Sequence, residues 1–238
     1  MELLVKLDGW HPLRQIGRRL LAWRYRLFQT HRHNRLIVER VHGRSIVVLP
    51  QVFNPKLFRS GEFLVRCLGP ELIAPRDAVL DMGTGTGVGA VFAAEWAGKV
   101  VAVDINPAAV RCARINALLH HCEDKIQVRH GDLFEAVAGE HFDVVLFNPP
   151  YYEGEPGDSL DRAFRSNDVV ERFAAGLGSV LNGTGRAVLV VSSDMNLTSL
   201  LESMQRYGFC PTTLFKKELI NETVIVYLFS PNSEALAL

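Results

Sequence analysis

The sequence predicts an α/β fold, an open sheet with helices on both of its faces. Three observations point there. Short apolar runs at Ala78–Met82, Lys99–Asp104, Ile126–His130, Phe142–Phe147 and Arg186–Ser193 alternate with helix-forming stretches, as strands buried on both faces do. Asp81 and Asp104 close the first two runs. Between the first run and its helix, Gly83, Gly85, Gly87 and Gly89 fall at every second position. Glycine at that density lets the backbone turn sharply and come close to a ligand.

The elements follow in order. Leu13, Ile16, Leu20, Trp23 and Leu27 recur at helical spacing, so an amphipathic helix is expected over Pro12–Gln29, its apolar side laid on the main domain. Leu36–Val41 and Ser45–Leu49 flank His42-Gly43 as a hairpin. Residues 1–50 thus form an extension, and residues 51–238 the main domain. Val52-Phe53-Asn54-Pro55 leads into a helix carrying Phe58, Phe63, Leu64 and Leu68. Ala90–Trp96 is the helix after the glycine turn. Asn106 caps the next one, which has Pro107 in its first turn and runs through Leu119. Asp168–Leu181 is helical and stops at Asn182-Gly183-Thr184-Gly185, and Leu197–Tyr207 is a helix closed by Gly208. Thr212–Lys217 and Glu222–Phe229 pair across Asn221 as a terminal hairpin.

Charge sums to zero but is unevenly spread. Among residues 1–50, ten cations (Lys6 and nine arginines) face Glu2, Asp8 and Glu39, a balance of +7 that leaves −7 for the rest. A basic front of this kind is most often a solvated face, less often a nucleic-acid contact, and least often a membrane contact. No stretch approaches the ~20 apolar residues of a membrane span. The first residues lack the features of a signal peptide. Cys67, Cys112, Cys122 and Cys210 are scattered without a C-x-x-C pair, which suits reduced thiols in a cytoplasmic protein and gives no metal-ligand spacing.

Three cofactors compete for the glycine turn. A P-loop needs Gly-Lys-Ser/Thr, but Val88 follows Gly87. A dinucleotide fingerprint fits Gly85, Gly87 and Ala90. Asp81-x-Gly83-x-Gly85-x-Gly87 also resembles the S-adenosylmethionine (SAM) loop of class I methyltransferases. The turn alone leaves the last two open.

The fourth strand separates them. Phe142–Phe147 ends in Asn148-Pro149-Pro150-Tyr151, where two prolines stop the sheet's hydrogen bonding and leave rigid groups at the strand's carboxyl end. This NPPY tetrapeptide resembles the hallmark of methyltransferases that act on a planar nitrogen, and nicotinamide chemistry has no use for it. Over Val52–Phe229 the chain is similar to the HemK-like group, the release-factor glutamine methyltransferases and their relatives that methylate nucleic-acid bases.

That resemblance implies a Rossmann-like seven-stranded sheet whose last strand is antiparallel, and SAM as cofactor. It implies SAM contacts from Asp81, Gly83, Thr84, Gly85 and Gly87, with Asp104 on the ribose hydroxyls beside Ile105. Asp132 takes the adenine amino group, Leu133 lines the ring, and Phe53 belongs to a segment capping the pocket. Catalysis falls to Asn148, Pro149, Pro150 and Tyr151. The Asn148 side-chain oxygen and the Pro149 carbonyl each take one N–H of the acceptor, and Tyr151 packs on its flat face, so that positioning and electrostatics carry the step.

The acceptor is a glutamine amide of a protein or the exocyclic amino group of a base. After the tetrapeptide, where many glutamine methylators show Gly-Gly-x-x-Gly, this chain has an acidic loop. Its Glu153, Glu155, Asp158 and Asp161 outnumber Arg162 and Arg165, which favours a protein or small-molecule substrate. The basic front favours RNA or DNA. A reading of a different class is a non-catalytic SAM-binding subunit that recruits RNA, and turnover by the chain alone distinguishes it.

Overall fold

The computed structural model describes residues 35–56, 60–152, 154–155, 157, 161–219 and 222–232. The expected helix at 12–29, Phe58, the acids Glu153 and Asp158, and Asn221 at the terminal hairpin's turn lie outside the described residues. The elements are β1 (Ile37–Val41), β2 (Arg44–Val48), α1 (Ser60–Cys67), β3 (Ala78–Met82), α2 (Val88–Ala93), β4 (Lys99–Asp104) and α3 (Pro107–Leu119). There follow β5 (Ile126–His130), a short 3-10 turn (Leu133–Val137), β6 (Phe142–Phe147), α4 (Val169–Leu177), β7 (Leu181–Ser192), α5 (Leu197–Arg206), β8 (Phe209–Glu218) and β9 (Thr223–Pro231).

Alternating apolar side chains build the main sheet from both sides. Leu80, Met82, Val145, Phe147, Leu189 and Val191 enter one core with Phe173, Leu177, Leu200 and Met204 of α4 and α5. Val79, Val144, Leu146, Val188 and Val190 enter the other with Phe63 and Leu64 of α1 and Ala90 and Val91 of α2. Both faces are covered, so the strands read as continuous apolar runs. Seven strands lie in the order β5-β4-β3-β6-β7-β9-β8. The β3–β4, β3–β6, β4–β5 and β6–β7 pairs are parallel, whereas β9 is antiparallel to both β7 and β8. This is the expected sheet with its antiparallel last strand. The chain leaves β3 toward β4 on one side and returns to β6 on the other, and the crevice at such a switch point is where open α/β sheets bind ligands.

Several boundaries differ from expectation, and those nearest the site and the β7 bulge have a physical reason. Helix α2 starts at Val88, because Gly87 at φ +80° already supplies the left-handed turn ahead of it. Helix α4 ends at Leu177, and Leu181 is instead the first residue of β7, paired with Phe142. The next pair is Val144 with Arg186, so Asn182-Gly183-Thr184-Gly185 is a bulge inside β7 rather than the stop of a helix. Gly185 is required there, since a Cβ would lie 3.0 Å from the Phe142 carbonyl oxygen. Pro211 sits within β8, which its place at the sheet edge permits.

The β1–β2 hairpin turns at His42 and Gly43, both at positive φ, and packs on the helices that follow the glycine turn. Val41 and Ile46 join Val65, Val88 and Phe92, while Val48 and Val52 join Ala108, Ala109 and Cys112. Among the described residues no helix is long and apolar enough to cross a membrane.

Candidate active site

The carboxyl ends of β3, β4 and β6 open on a cavity of ≈480 Å³. Its floor is the glycine turn, and the turn is held by two carboxylates. Asp81, buried at the end of β3, accepts from the Thr84 hydroxyl and from the Ala90 N–H at 2.9 Å. A Cβ on Gly89 would lie 2.6 Å from Asp81 Oδ1, so that glycine lets the helix start sit on the acid. Burial pushes the Asp81 carboxyl up to about 6, against those two hydrogen bonds, which lower it. Asp104, at the end of β4, accepts from the Gly85 N–H through Oδ2 and from the Asn106 N–H through Oδ1, each at 2.8 Å. Burial raises its pKa too, and the same backbone bonds oppose the rise. Gly85, at φ +57°, holds a conformation that L side chains rarely adopt.

The other walls come from later segments. Asp132 and Leu133 follow β5, and Leu133 sits at φ +47°, an unusual conformation for a branched apolar residue. Arg172 of α4 donates to Asp132 Oδ2 at 2.8 Å and lines the same cavity. Residues after the tetrapeptide fold back along it. Tyr152 forms a bridge with Arg165, and the Tyr152 N–H donates to the Phe164 carbonyl at 2.8 Å. Phe53, on the segment before α1, faces Phe164 with ring centroids 5.4 Å apart.

Asn148 ends β6 on the cavity wall. Its Oδ1 accepts from the Tyr151 hydroxyl at 2.8 Å, and its Nδ2 donates to the Ser60 hydroxyl at 3.2 Å. Tyr151 packs against the Phe147–Phe173 core. Burial holds its phenol well above the ordinary range, so it stays protonated.

The expected residues fall into two groups. Phe53, Asp81, Gly83, Thr84, Gly85, Asp104, Ile105, Asp132, Leu133, Asn148 and Pro150 all line the cavity. Gly87, Pro149 and Tyr151 do not. Gly87 serves packing, because a Cβ there would lie 2.9 Å from Ala113 of α3. The expected stacking of Tyr151 on the acceptor is not what the structure has: the ring is taken up by the core and only its hydroxyl reaches Asn148. Sequence reading missed Ser60, Arg172 and the returning segment 163–169, which meet the site only through long-range contacts. Among the described residues no group of His, Cys, Asp and Glu is arranged to hold a metal.

Residues 44–212 match the family model of the methyltransferase small domain. Over 183 residues the chain is 33% identical to a protein of Methanocaldococcus jannaschii named a candidate protein N5-glutamine methyltransferase, covering 73% of this chain and 88% of that one. It is 35% identical over 155 residues to the release factor glutamine methyltransferase of Koribacter versatilis, covering 57% of this chain but only 53% of that enzyme. The fold is also that of the 16S rRNA N2 G1207 methyltransferase of T. thermophilus, solved with AdoMet and guanosine. The TM-score is 0.57 at 24% identity, over 83% of this chain and 50% of that one. The chain belongs to the methyltransferase small domain family, and it is a SAM-dependent N-methyltransferase.

Proposed function

We propose that this methyltransferase moves the methyl group of SAM to the side-chain amide nitrogen of a glutamine in a protein substrate. The observation that carries transfer to a planar nitrogen is Asn148, held at the end of β6 on the wall of the cavity that the glycine turn floors, and the choice of glutamine follows the glutamine methyltransferases the chain is similar to.

The residues around the cavity suit SAM. Asp104 spends one lone pair of each oxygen on backbone N–H groups, and each oxygen retains one for a ribose hydroxyl. Asp132 is steadied by Arg172 through Oδ2, so Oδ1 serves an adenine amino group. Ile105, Leu133 and Phe53 supply apolar surface for the ring, and Gly83 and Gly85 let the backbone approach. Asp81 and Thr84 act one step back, by fixing the turn. When bound, SAM supplies a methyl group made electrophilic by its sulfonium.

Everything else falls to the chain. An amide nitrogen is a poor nucleophile because its lone pair is shared with the carbonyl. Asn148 Oδ1 has a second lone pair beyond the one that Tyr151 uses, and it accepts one N–H of the acceptor. The other is assigned to the carbonyl of Pro149, which is not itself a lining residue but joins two that are, Asn148 and Pro150. Two fixed acceptors turn the nitrogen lone pair toward the methyl and draw positive charge onto the nitrogen as the bond forms. Tyr151 remains a neutral phenol and is not the base. The proton is lost from the cationic product to water. The enzyme works in the cytosol, where its four unbonded cysteines stay reduced.

Purified chain with methyl-labelled SAM should label release factor or ribosomal protein uL3, and complete proteolysis of the product should yield N5-methylglutamine. Label confined to RNA would contradict the glutamine reading. A second reading, methylation of a base amino group, is favoured by the +7 balance of residues 1–50. It predicts label in total tRNA or rRNA, with affinity falling steeply as salt rises.

A further inference from the structure

Asn148 is useful only in one orientation. Its oxygen must meet the acceptor N–H; with the amide turned over, an N–H would face an N–H. The hydrogen bond to Tyr151 holds only one end of the amide and leaves its plane free to turn. A hold at its other end is needed to fix that plane.

Ser60 stands at the other end. It is the first residue of α1, is fully buried, and has its hydroxyl 3.2 Å from Asn148 Nδ2, across 88 residues of sequence. Its position is prepared by the segment before it. Asn54, also buried, accepts from the Lys56 N–H at 2.9 Å and donates to Glu39 of β1 at 3.1 Å, which sets the Asn54-Pro55 turn. Pro55 then packs directly on the backbone of Gly61, where a Cβ would lie 2.8 Å from the Pro55 Cβ. Gly61 is therefore held against Pro55, with the neighbouring Ser60 hydroxyl beside both Asn148 and Tyr151.

We infer that Ser60 is a positioning residue for methyl transfer: by accepting from Asn148 Nδ2 it holds the second end of the amide and so fixes the plane in which Oδ1 meets the methyl-accepting nitrogen. The inference rests on the proposed role of Asn148. With Ser60 removed, the amide keeps its tether to Tyr151 but its plane is free to swing, and bound acceptor is correctly oriented for less of the time.

The test compares wild type, Ser60→Ala and Asn148→Ala, with labelled SAM and the protein and RNA of a hypomethylated lysate as acceptor. Ser60→Ala should lower kcat about tenfold, the effect of one lost neutral hydrogen bond. The acceptor KM, the SAM Kd by calorimetry and Tm should stay close to wild type. Side-chain NMR of 15N-labelled protein gives a reading without substrate, with Asn148→Asp assigning the Asn148 NH2 pair. In wild type that pair should be resolved and protected from exchange, and in Ser60→Ala the protection should be lost. Wild-type kcat in Ser60→Ala, or an unprotected Asn148 pair in wild type, would overturn the role of Ser60. Full turnover by Asn148→Ala would instead overturn the reading on which it rests.

Discussion

Asp81 and Asp104 look alike in the sequence, each closing a strand, but they do different work. Asp104 has a lone pair left on each oxygen beside the cavity, so Asp104→Ala should weaken SAM binding at least about tenfold by calorimetry. Asp81 faces the turn, and its burial has a consequence for stability. Its carboxyl titrates at about 6 in the fold against an ordinary 3.8, so between those values the folded chain binds a proton that the unfolded chain releases. The contribution of this group is therefore present below its unfolded value and lost as pH rises through 6. Relative to Asp81→Asn, wild type should lose about 1 kcal/mol of stability between pH 5 and pH 7.5. Urea denaturation of both proteins at the two pH values measures this, and an equal change in the two would contradict it. At this scale the sequence was most legible where chemistry is local. Asn106 caps α3 as expected, its side chain accepting from the Ala108 N–H at 2.9 Å. Ser60, Arg172 and the true post of Tyr151 were hidden, because each is defined by a contact with a distant or buried neighbour that no spacing reveals.

At the scale of elements, the glycine turn, α3 and the β1–β2 hairpin are tied together by one buried side chain. Asn116 of α3 accepts from the Val47 N–H at 2.8 Å and donates to the Val47 carbonyl at 2.7 Å. It also donates to the Thr86 carbonyl in the turn, at 2.8 Å. Asn116→Ala takes this partner from the Val47 N–H and the Thr86 carbonyl, while the Val47 carbonyl keeps the Cys112 thiol at 3.2 Å, and should cost about 2 kcal/mol, with weaker SAM binding as the turn loosens. Denaturation and calorimetry on the same variant check both halves. If stability falls and SAM affinity does not, the coupling between hairpin and cofactor turn is absent. In the sequence, Asn116 is an ordinary polar residue in a helix. The ends of α4 and β7 were misread for a related reason. Asn182-Gly183-Thr184-Gly185 has the composition of a turn, and a β-bulge asks for the same residues.

The whole molecule places chemistry where its topology dictates. The strand order switches sides of β3 while β3 and β6 stay parallel, which brings the glycine turn and the asparagine of the tetrapeptide to one crevice from 65 residues apart in sequence. The strands were legible because burial on both faces writes itself as apolar runs, and the antiparallel last strand followed from the resemblance. Which substrate reaches the crevice was not legible, because the charges point two ways: a +7 balance in the sequence of residues 1–50, and a cavity edged by Asp132, Glu155 and Asp168. The joint measurement of SAM binding and methyl transfer in Asn148→Ala bears most directly on the whole scheme. SAM affinity should remain within about threefold of wild type while turnover falls by at least about a hundredfold, as when a positioned acceptor of a hydrogen bond is removed from a reacting centre. Turnover at the wild-type rate, with SAM still bound, would contradict it.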